Sequence, residues 1–188
     1  MEYDRLITLL AENIESADSF PPFPAEKYKP SAVLIPLVKR KNGVNILLTK
    51  RNENLKNHPG QICFPGGKVD DSDESPARTA VRECFEELGI PEDKVTIHGM
   101  MRPMKVPTGF FMIPVLGEIE PDYELRLHYD EVELAFEVPF SHFTDIENYI
   151  ARKIFYRGRN HRFFEIKHDS HYIWGATAKI LRKLSKLV

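Results

Sequence analysis

The sequence predicts an α/β protein in which helices cover a β-sheet, an α/β/α sandwich. Three observations favour this fold: apolar runs paired as β-hairpins, an amphipathic helix in the middle of the chain, and a second helix that closes it. With 188 residues, 42% of them apolar and 29% charged, the chain suits one domain with a sizeable core. We assign residues 1–30 to an N-terminal helix and proline-rich connector, and residues 31–188 to the main domain.

The first elements follow from apolar spacing and turn residues. Apolar residues at helical intervals predict an amphipathic helix over residues 2–17. The prolines of residues 20–30 indicate an extended connector. Apolar runs at 31–38 and 44–51 flank an Asn-Gly pair, which is typical of a tight turn, so these runs are predicted to form a hairpin.

The central helix has a start and a stop signal in the stretch FPGGKVDDSDESPARTAVRECFEELGI, residues 64–90. Ser75 is a suitable N-cap, and Pro76 suits the first helical position because that position needs no N–H donor. Gly89 supplies the stop, because glycine tolerates the left-handed backbone that ends many helices.

The two faces of this helix have different chemistry. The apolar side chains share an arc of about 60°, and this face is predicted to be buried: Ala77, Val81, Cys84 and Leu88. Three carboxylates share a separate arc of about 100°, predicted to be exposed, with Arg82 at its edge: Glu83, Glu86 and Glu87. A solvated surface is the ordinary interpretation of such a face. Clustered like charges also favour a compensating cation, and a hard divalent ion such as Mg²⁺ binds carboxylate oxygens.

The order of residues around the helix resembles the signature box of the Nudix hydrolases, G-x5-E-x7-R-E-U-x-E-E-x-G-U with U apolar. The helical half, Arg82 to Ile90, matches fully. One position departs from the pattern, because Asp73 keeps the spacing to Gly67 while Glu74 keeps the spacing to Arg82. Either residue could fill the first acidic position.

The resemblance implies the mixed-sheet Nudix fold and metal-assisted hydrolysis of a diphosphate. It implies Mg²⁺ or Mn²⁺ bound by Glu83, Glu86 and Glu87, together with the Gly67 carbonyl. Arg82 would orient the carboxylates and offset their repulsion. Which glutamate accepts the proton is left open.

The segment before the box points to one branch of this family. The string LLTKRNENLKNHPGQICFPGG, residues 47–67, resembles a motif of the coenzyme A diphosphatases. That resemblance suggests four substrate-binding residues: Arg51, His58, Gln61 and Gly66. Taken alone, His58 is more often a structural loop residue, and Gln61 a residue at a strand edge.

The second half of the chain adds strands, a further acid and a basic hairpin. Strands are predicted at 95–102, at 110–119, and from Asp130 to Pro139. Glu131, at the start of the last of these, is a candidate further metal ligand or base, although an acid there is more often solvated. A second hairpin, 154–156 with 162–166, carries three arginines that suit the 3′-phosphate of coenzyme A: Arg157, Arg159 and Arg162. An equally supported alternative is that these charges only prevent the edge strand from pairing with another chain and aggregating. A final helix is predicted at 175–187.

These features predict an enzyme that cleaves coenzyme A into 3′,5′-ADP and 4′-phosphopantetheine, with acyl-coenzyme A as a further candidate substrate. One alternative is a Nudix hydrolase of ADP-ribose, dinucleotides or nucleoside triphosphates. Another is a silent module that binds a nucleotide without hydrolysing it. The intact Arg82-Glu83-x-x-Glu86-Glu87 pattern argues against such a catalytically inactive module.

The composition limits which binding partners and which cellular compartment are expected. A net charge of −2 gives no reason to expect nucleic-acid or membrane binding, and no apolar run reaches the length of a membrane span. Cys63 and Cys84 are predicted to be reduced packing residues of a cytoplasmic protein. The scattered histidines disfavour zinc. A monomer and a homodimer both stay open.

Overall fold

The computed structural model describes residues 3–156 and 158–188, and only the backbone of Tyr156, Arg159 and His161. The helices are α1 Tyr3–Ala11, α2 Pro76–Leu88, α3 Phe140–Thr144 and α4 Gly175–Leu184. The strands are β1 Lys29–Arg40, β2 Gly43–Arg51, β3 Ile62–Cys63, β4 Gly66–Lys68, β5 Val95–Met100, β6 Met104–Lys105, β7 Phe110–Ile119, β8 Val132–Pro139, β9 Tyr149–Tyr156, β10 Arg159–His168 and β11 His171–Trp174. No helix in the described part of the chain has the length and apolar character needed to cross a membrane.

The strands form one large mixed sheet and one small antiparallel sheet. The large sheet has the order β3-β2-β1-β7-β5, and β4, β6 and β8 pair with β1, β7 and β2. Its β1 and β7 run parallel, whereas its other pairs are antiparallel. The small sheet has the order β11-β10-β9. The predicted α/β class with a mixed sheet is confirmed.

Strand β1 is buried on both faces because helices cover both sides of the large sheet. Its residues Val33, Ile35 and Leu37 lie in one core with Leu6 of α1 and Leu181 of α4. Alternate side chains of a strand point to opposite faces, and neighbouring β1 residues accordingly enter a second core with α2. Members of that core are Ala32, Leu34, Ala80, Cys84 and Leu88. The predicted sandwich is therefore present.

Helix α2 begins and ends where its local signals predict. The Ser75 hydroxyl accepts a hydrogen bond from the Arg78 backbone N–H at 3.2 Å, and Pro76 is the first helical residue. Gly89 adopts a left-handed φ of 70° and donates its N–H to the Phe85 carbonyl. The predicted buried face is confirmed for Val81, Cys84 and Leu88, while Ala77 is partly buried.

Several elements have bounds that differ from prediction, because tertiary contacts outweigh local periodicity. The first helix ends at Ala11, short of residue 17, and Glu15 pairs with Met100 at the end of β5 through two backbone hydrogen bonds of 2.9 and 2.7 Å. Strands β9 and β10 extend beyond the predicted apolar runs because they pair with each other over eight positions. Helix α4 ends at Leu184, not at residue 187.

Candidate active site

The Arg82 guanidinium lies among the acids of the box and donates hydrogen bonds to five acceptors. Its Nη1 contacts Glu83 Oε1 at 3.1 Å and Glu86 Oε2 at 3.0 Å. Its Nε and Nη2 contact the two oxygens of Asp73, and Nη2 also contacts the Lys68 carbonyl at 3.0 Å. Five acceptors match the five N–H groups of a guanidinium. Arg82 therefore lies between Glu83 and Glu86, where its charge can offset their repulsion.

Asp73, and not Glu74, is the acid that faces Arg82. The Asp73 side chain is 5% exposed and also accepts a hydrogen bond from the Asp70 backbone N–H at 2.9 Å. Burial opposes its ionisation, but the hydrogen bonds from Arg82 hold the pKa of Asp73 below its usual range. Glu74 is exposed and forms no side-chain hydrogen bond or ion pair with the described residues. The sequence left both acids open, and the structure agrees with the one that keeps the spacing to Gly67.

Glu83 approaches the backbone of β4 at Gly67. A Cβ atom at Gly67 would overlap the Glu83 carboxylate, so glycine is required for this approach. Burial raises the pKa of Glu83, and the neighbouring Arg82 charge opposes that rise. The structure therefore brings Glu83 together with Gly67, two of the residues predicted to hold a metal ion.

Glu87 is buried, which corrects the prediction that all three carboxylates lie on an exposed face. Its exposed fraction is 3%, and burial followed by the Glu83 charge raises its pKa to about 8. The Arg51 charge and a hydrogen bond from the Gly66 backbone act in the opposite direction. Helical periodicity placed Glu87 beside Glu86, but α2 packs against β4 and buries it. Glu86 itself is exposed.

One oxygen of Glu87 lacks a hydrogen-bond partner. Oε2 is buried and accepts no hydrogen bond from any described residue. An unpartnered buried carboxylate oxygen is costly, and its neighbours Glu83 and Glu131 carry the same charge. This arrangement favours a cation at the Glu87 carboxylate.

Glu131 joins the acidic cluster from the turn that precedes β8. Its charge contributes to the raised pKa values of both Glu83 and Glu87. The Glu131 carbonyl accepts a hydrogen bond from the Asn52 N–H at 2.8 Å, and the Asn52 side-chain amide donates to the Tyr129 carbonyl at 2.6 Å. Sequence reasoning missed Asn52, because a loop asparagine carries no signal of its distant partner.

The segment preceding the box places its candidate residues in two groups. Arg51 and Gly66 lie beside Glu87. His58 and Gln61 contact each other through a 3.0 Å hydrogen bond between Nδ1 and Oε1, and neither bonds to the acids within the described residues. The loop is closed by backbone hydrogen bonds from Arg51 to Gln61 and from Gly60 to Arg51.

The basic hairpin stands apart from this cluster in the part of the chain that the structure describes. Arg157 lies outside the described residues, and the side chain of Arg159 is not described. Arg162 is exposed and lies opposite Lys153 in the small sheet. Across residues 3–156 and 158–188, no hydrogen bond or ion pair joins Arg162 to the acids. Its predicted contact with a phosphate remains a prediction.

The acids and Gly67 form a donor set that fits a hard divalent cation. Within the described residues, no group of three or more His, Cys, Asp or Glu side chains is already arranged as a metal site. Arg82 instead bridges Glu83 and Glu86. The unpartnered Glu87 oxygen and the raised pKa values of Glu83 and Glu87 nonetheless fit a cation, and carboxylate and carbonyl oxygens are the ligands that Mg²⁺ prefers.

The sequence is similar to known proteins over most of its length. Residues 27–152 match the family model described as the NUDIX domain. The chain is 39% identical over 158 residues to an Escherichia coli K12 protein named "Uncharacterized Nudix hydrolase NudL", an alignment that covers 84% of this chain and 82% of that protein. It is 41% identical over 155 residues to the NudL of Enterobacter sp. strain 638, covering 82% and 80%.

Solved structures show the same fold. A Nudix hydrolase from M. smegmatis, RenU, aligns with a TM-score of 0.52 at 17% identity, covering 69% of this chain and 80% of that one. An Ap4A hydrolase from C. elegans aligns with a TM-score of 0.51 at 20% identity, covering 59% and 80%. The family match, the NudL identity and the fold lead to one conclusion: the chain belongs to the Nudix hydrolases, which act on phosphorus anhydrides.

Proposed function

We propose that the chain is a Mg²⁺- or Mn²⁺-dependent diphosphatase that cleaves coenzyme A. The observation that supports this proposal is that two sequence motifs, the segment 47–67 and the box, lie next to each other in the structure. The segment 47–67, which resembles the motif of the coenzyme A diphosphatases, places Arg51 beside Glu87 and Gly67 beside Glu83. The segment most relevant to substrate choice therefore borders the acids of the box.

The reaction is the hydrolysis of one phosphoric anhydride bond. Water attacks one phosphorus of the diphosphate, the bridging P–O bond breaks, and the proton of water passes to a carboxylate of the acidic cluster. The bridging oxygen leaves with the other phosphate. The products are 3′,5′-ADP and 4′-phosphopantetheine, or acyl-phosphopantetheine from an acyl-coenzyme A.

Different residues of the site have different roles in this reaction. Glu83, Glu86 and Glu87 would hold the divalent ion together with the Gly67 carbonyl, and Glu131 adds negative charge beside Glu83 and Glu87. When bound, the ion supplies positive charge against the charge that develops on the phosphoryl oxygens. Arg82 keeps Glu83 and Glu86 in place through its Nη1.

Substrate recognition is assigned to the loop beside the acids. In this proposal Arg51 contacts the diphosphate, while His58 and Gln61 donate hydrogen bonds to one arm of the substrate. Both cysteines are free thiols, which supports the cytoplasmic location predicted from the sequence. A homodimer remains a prediction without a structural argument.

The test is an activity panel with Mg²⁺ or Mn²⁺ across coenzyme A, acyl-coenzyme A, ADP-ribose, NADH and dGTP, with products identified by mass spectrometry. We expect the highest kcat/KM for coenzyme A or an acyl-coenzyme A, with 3′,5′-ADP as a product. A clear preference for ADP-ribose or dGTP would overturn the substrate assignment. No turnover of any compound would favour a binding module.

A further inference from the structure

A cavity of about 370 Å³ opens at the end of β4, and no residue predicted to bind substrate lines it. Its walls are the end of the connector, the end of β4 and the turn before β7. The lining residues are Ala25, Glu26, Lys27, Tyr28, Lys29, Lys68, Thr108, Gly109 and Phe110. Lys68 connects this cavity to the site, because it directly follows Gly67 and its carbonyl accepts a hydrogen bond from Arg82.

Backbone hydrogen bonds and paired strands hold the walls of the cavity. Lys29 lies opposite Phe110 in the β1–β7 pair, and its N–H donates to the Gly109 carbonyl at 3.0 Å. Lys68 lies opposite Ser31 in the β1–β4 pair. The N–H groups of Lys27 and Tyr28 both donate to the Pro24 carbonyl, at 3.0 and 3.2 Å. Three segments distant in sequence are thereby fixed around one space.

The cavity has an excess of positive charge, because three lysines and one glutamate line it. Lys27, Lys29 and Lys68 are exposed, and none forms an ion pair within residues 3–156 and 158–188. By contrast, Lys50 and Lys94 each pair with nearby carboxylates. Glu26 is the one acid among the residues that line the cavity. Such a space attracts an anion and would repel a divalent cation.

The Tyr28 ring adds a surface suited to an organic ligand. Lys105 Nζ lies over that ring, 5.4 Å from its centroid, and brings a fourth positive charge to this part of the surface. A volume of about 370 Å³ lies at the lower end of the range for small-molecule pockets, roughly 300–1,000 Å³. The cavity therefore suits one phosphorylated end of a substrate, while its diphosphate lies at the acids.

We infer that this lysine cavity binds a phosphomonoester on the nucleoside end of the substrate. The inference rests on the proposed function, in which that group is the 3′-phosphate of coenzyme A. It replaces the arginine hairpin as the site for this phosphate. Lys68 is one residue from Gly67, whereas Arg162 lies in the separate small sheet without a contact to the acids in the described residues.

A binding experiment in EDTA tests the cavity without catalysis. Calorimetry compares 3′,5′-ADP with 5′-AMP for the wild type, Lys29→Gln, Lys68→Gln and the Lys27/Lys29/Lys68 triple Gln variant. Lys41→Gln serves as the control, because Lys41 is exposed at the distant β1–β2 turn. The wild type should bind 3′,5′-ADP at least about tenfold more tightly than 5′-AMP, since a charge-assisted contact has this effect.

Each single lysine variant should reduce that preference several-fold, the triple variant should abolish it, and Lys41→Gln should retain it. An unchanged preference in the triple variant would overturn the inference. So would a preference lost in Arg162→Gln but kept in the lysine variants. Equal binding of the two nucleotides by the wild type would also overturn it.

Kinetics separates the cavity from the proposed function. For the triple variant, the ratio of kcat/KM for coenzyme A to that for dephospho-coenzyme A should approach one. If the triple variant hydrolyses coenzyme A with the wild-type ratio, the inference about the cavity is overturned, while the proposed function is retained. The opposite result is also possible to distinguish. If the wild type binds 3′,5′-ADP through the lysines but does not hydrolyse coenzyme A, the proposed function is overturned, while the inference that the cavity binds a phosphomonoester is retained.

Discussion

Arg82 and Asp73 are joined by two hydrogen bonds, from Nε to Oδ1 at 3.1 Å and from Nη2 to Oδ2 at 2.9 Å. This paired geometry adds directional specificity to the charge attraction. We expect Asp73→Asn to lower the free energy of unfolding by about 1.5–3 kcal/mol, the loss typical of a charge-assisted hydrogen bond. Glu74→Gln is the matched control, because Glu74 is exposed, and it should change stability by less than about 0.5 kcal/mol. Urea unfolding of both variants measures this difference, and equal values would contradict it.

Glu87→Gln should separate activity from stability. A neutral amide removes charge that the divalent ion needs, so we expect turnover to fall about 10²-fold or more. Stability in EDTA should not fall, because Oε2 has no partner to lose and an unpartnered buried carboxylate is unfavourable. Glu86→Gln, at an exposed position, should likewise lose turnover without unfolding. Full activity in both variants would refute the assignment of these acids.

Gly67→Ala should disturb Glu83 more than it disturbs the fold. The new methyl group would overlap the end of a flexible side chain, which can move away. A displaced carboxylate should reduce kcat by about tenfold or more, since small misplacements of catalytic groups have large effects. The free energy of unfolding should change by less than about 1 kcal/mol. Unchanged kcat would show that the position of Glu83 is not critical.

The buried face of α2 can be tested with two positions of the same helix. Leu88 is fully buried in the core beneath the sheet, while the Phe85 side chain is largely exposed. Leu88→Ala should cost roughly 2–5 kcal/mol in the free energy of unfolding, through lost burial and the cavity left behind. Phe85→Ala should cost less than about 1 kcal/mol. Thermal and urea unfolding report both values, and a reversed order would mean that the helix is rotated.

His168 should make the fold sensitive to acid. Burial lowers the pKa of His168, His142 and His171 lower it further, and Asp169 opposes the effect. Between the unfolded pKa, about 6.5, and the lower folded value, the unfolded chain binds more protons. The free energy of unfolding should therefore fall as pH drops below about 6.5. His168→Gln should reduce that fall. Identical pH profiles for the wild type and His168→Gln would contradict this.

Local signals in the sequence were sufficient to predict where the helix of the box, α2, begins and ends. Ser75, Pro76 and Gly89 determine its ends through backbone geometry and capping alone, and the structure confirms both. The Asn-Gly turn likewise joins β1 to β2 at the predicted place. Such features depend on neighbours in the chain, which is why they could be predicted without a structure.

Features that depend on distant segments could not be predicted. Helical periodicity placed Glu87 on an exposed face, but the packing of α2 on β4 buries it. The choice between Asp73 and Glu74 depends on the path of the loop before the helix, which brings Asp73 to Arg82. The lysine cavity combines three segments, and its charges have no common motif.

The two hydrogen bonds of Asn52 have a consequence for protein engineering. They join the loop of residues 52–61 to the turn that carries Glu131. A loop transplanted from a relative to alter specificity would keep the backbone bond to Glu131 with any residue except proline at this position. It would lose the side-chain bond to Tyr129 unless it kept the asparagine. Recombination of this enzyme with its relatives should therefore exchange residues 52–61 and 128–131 as a single module.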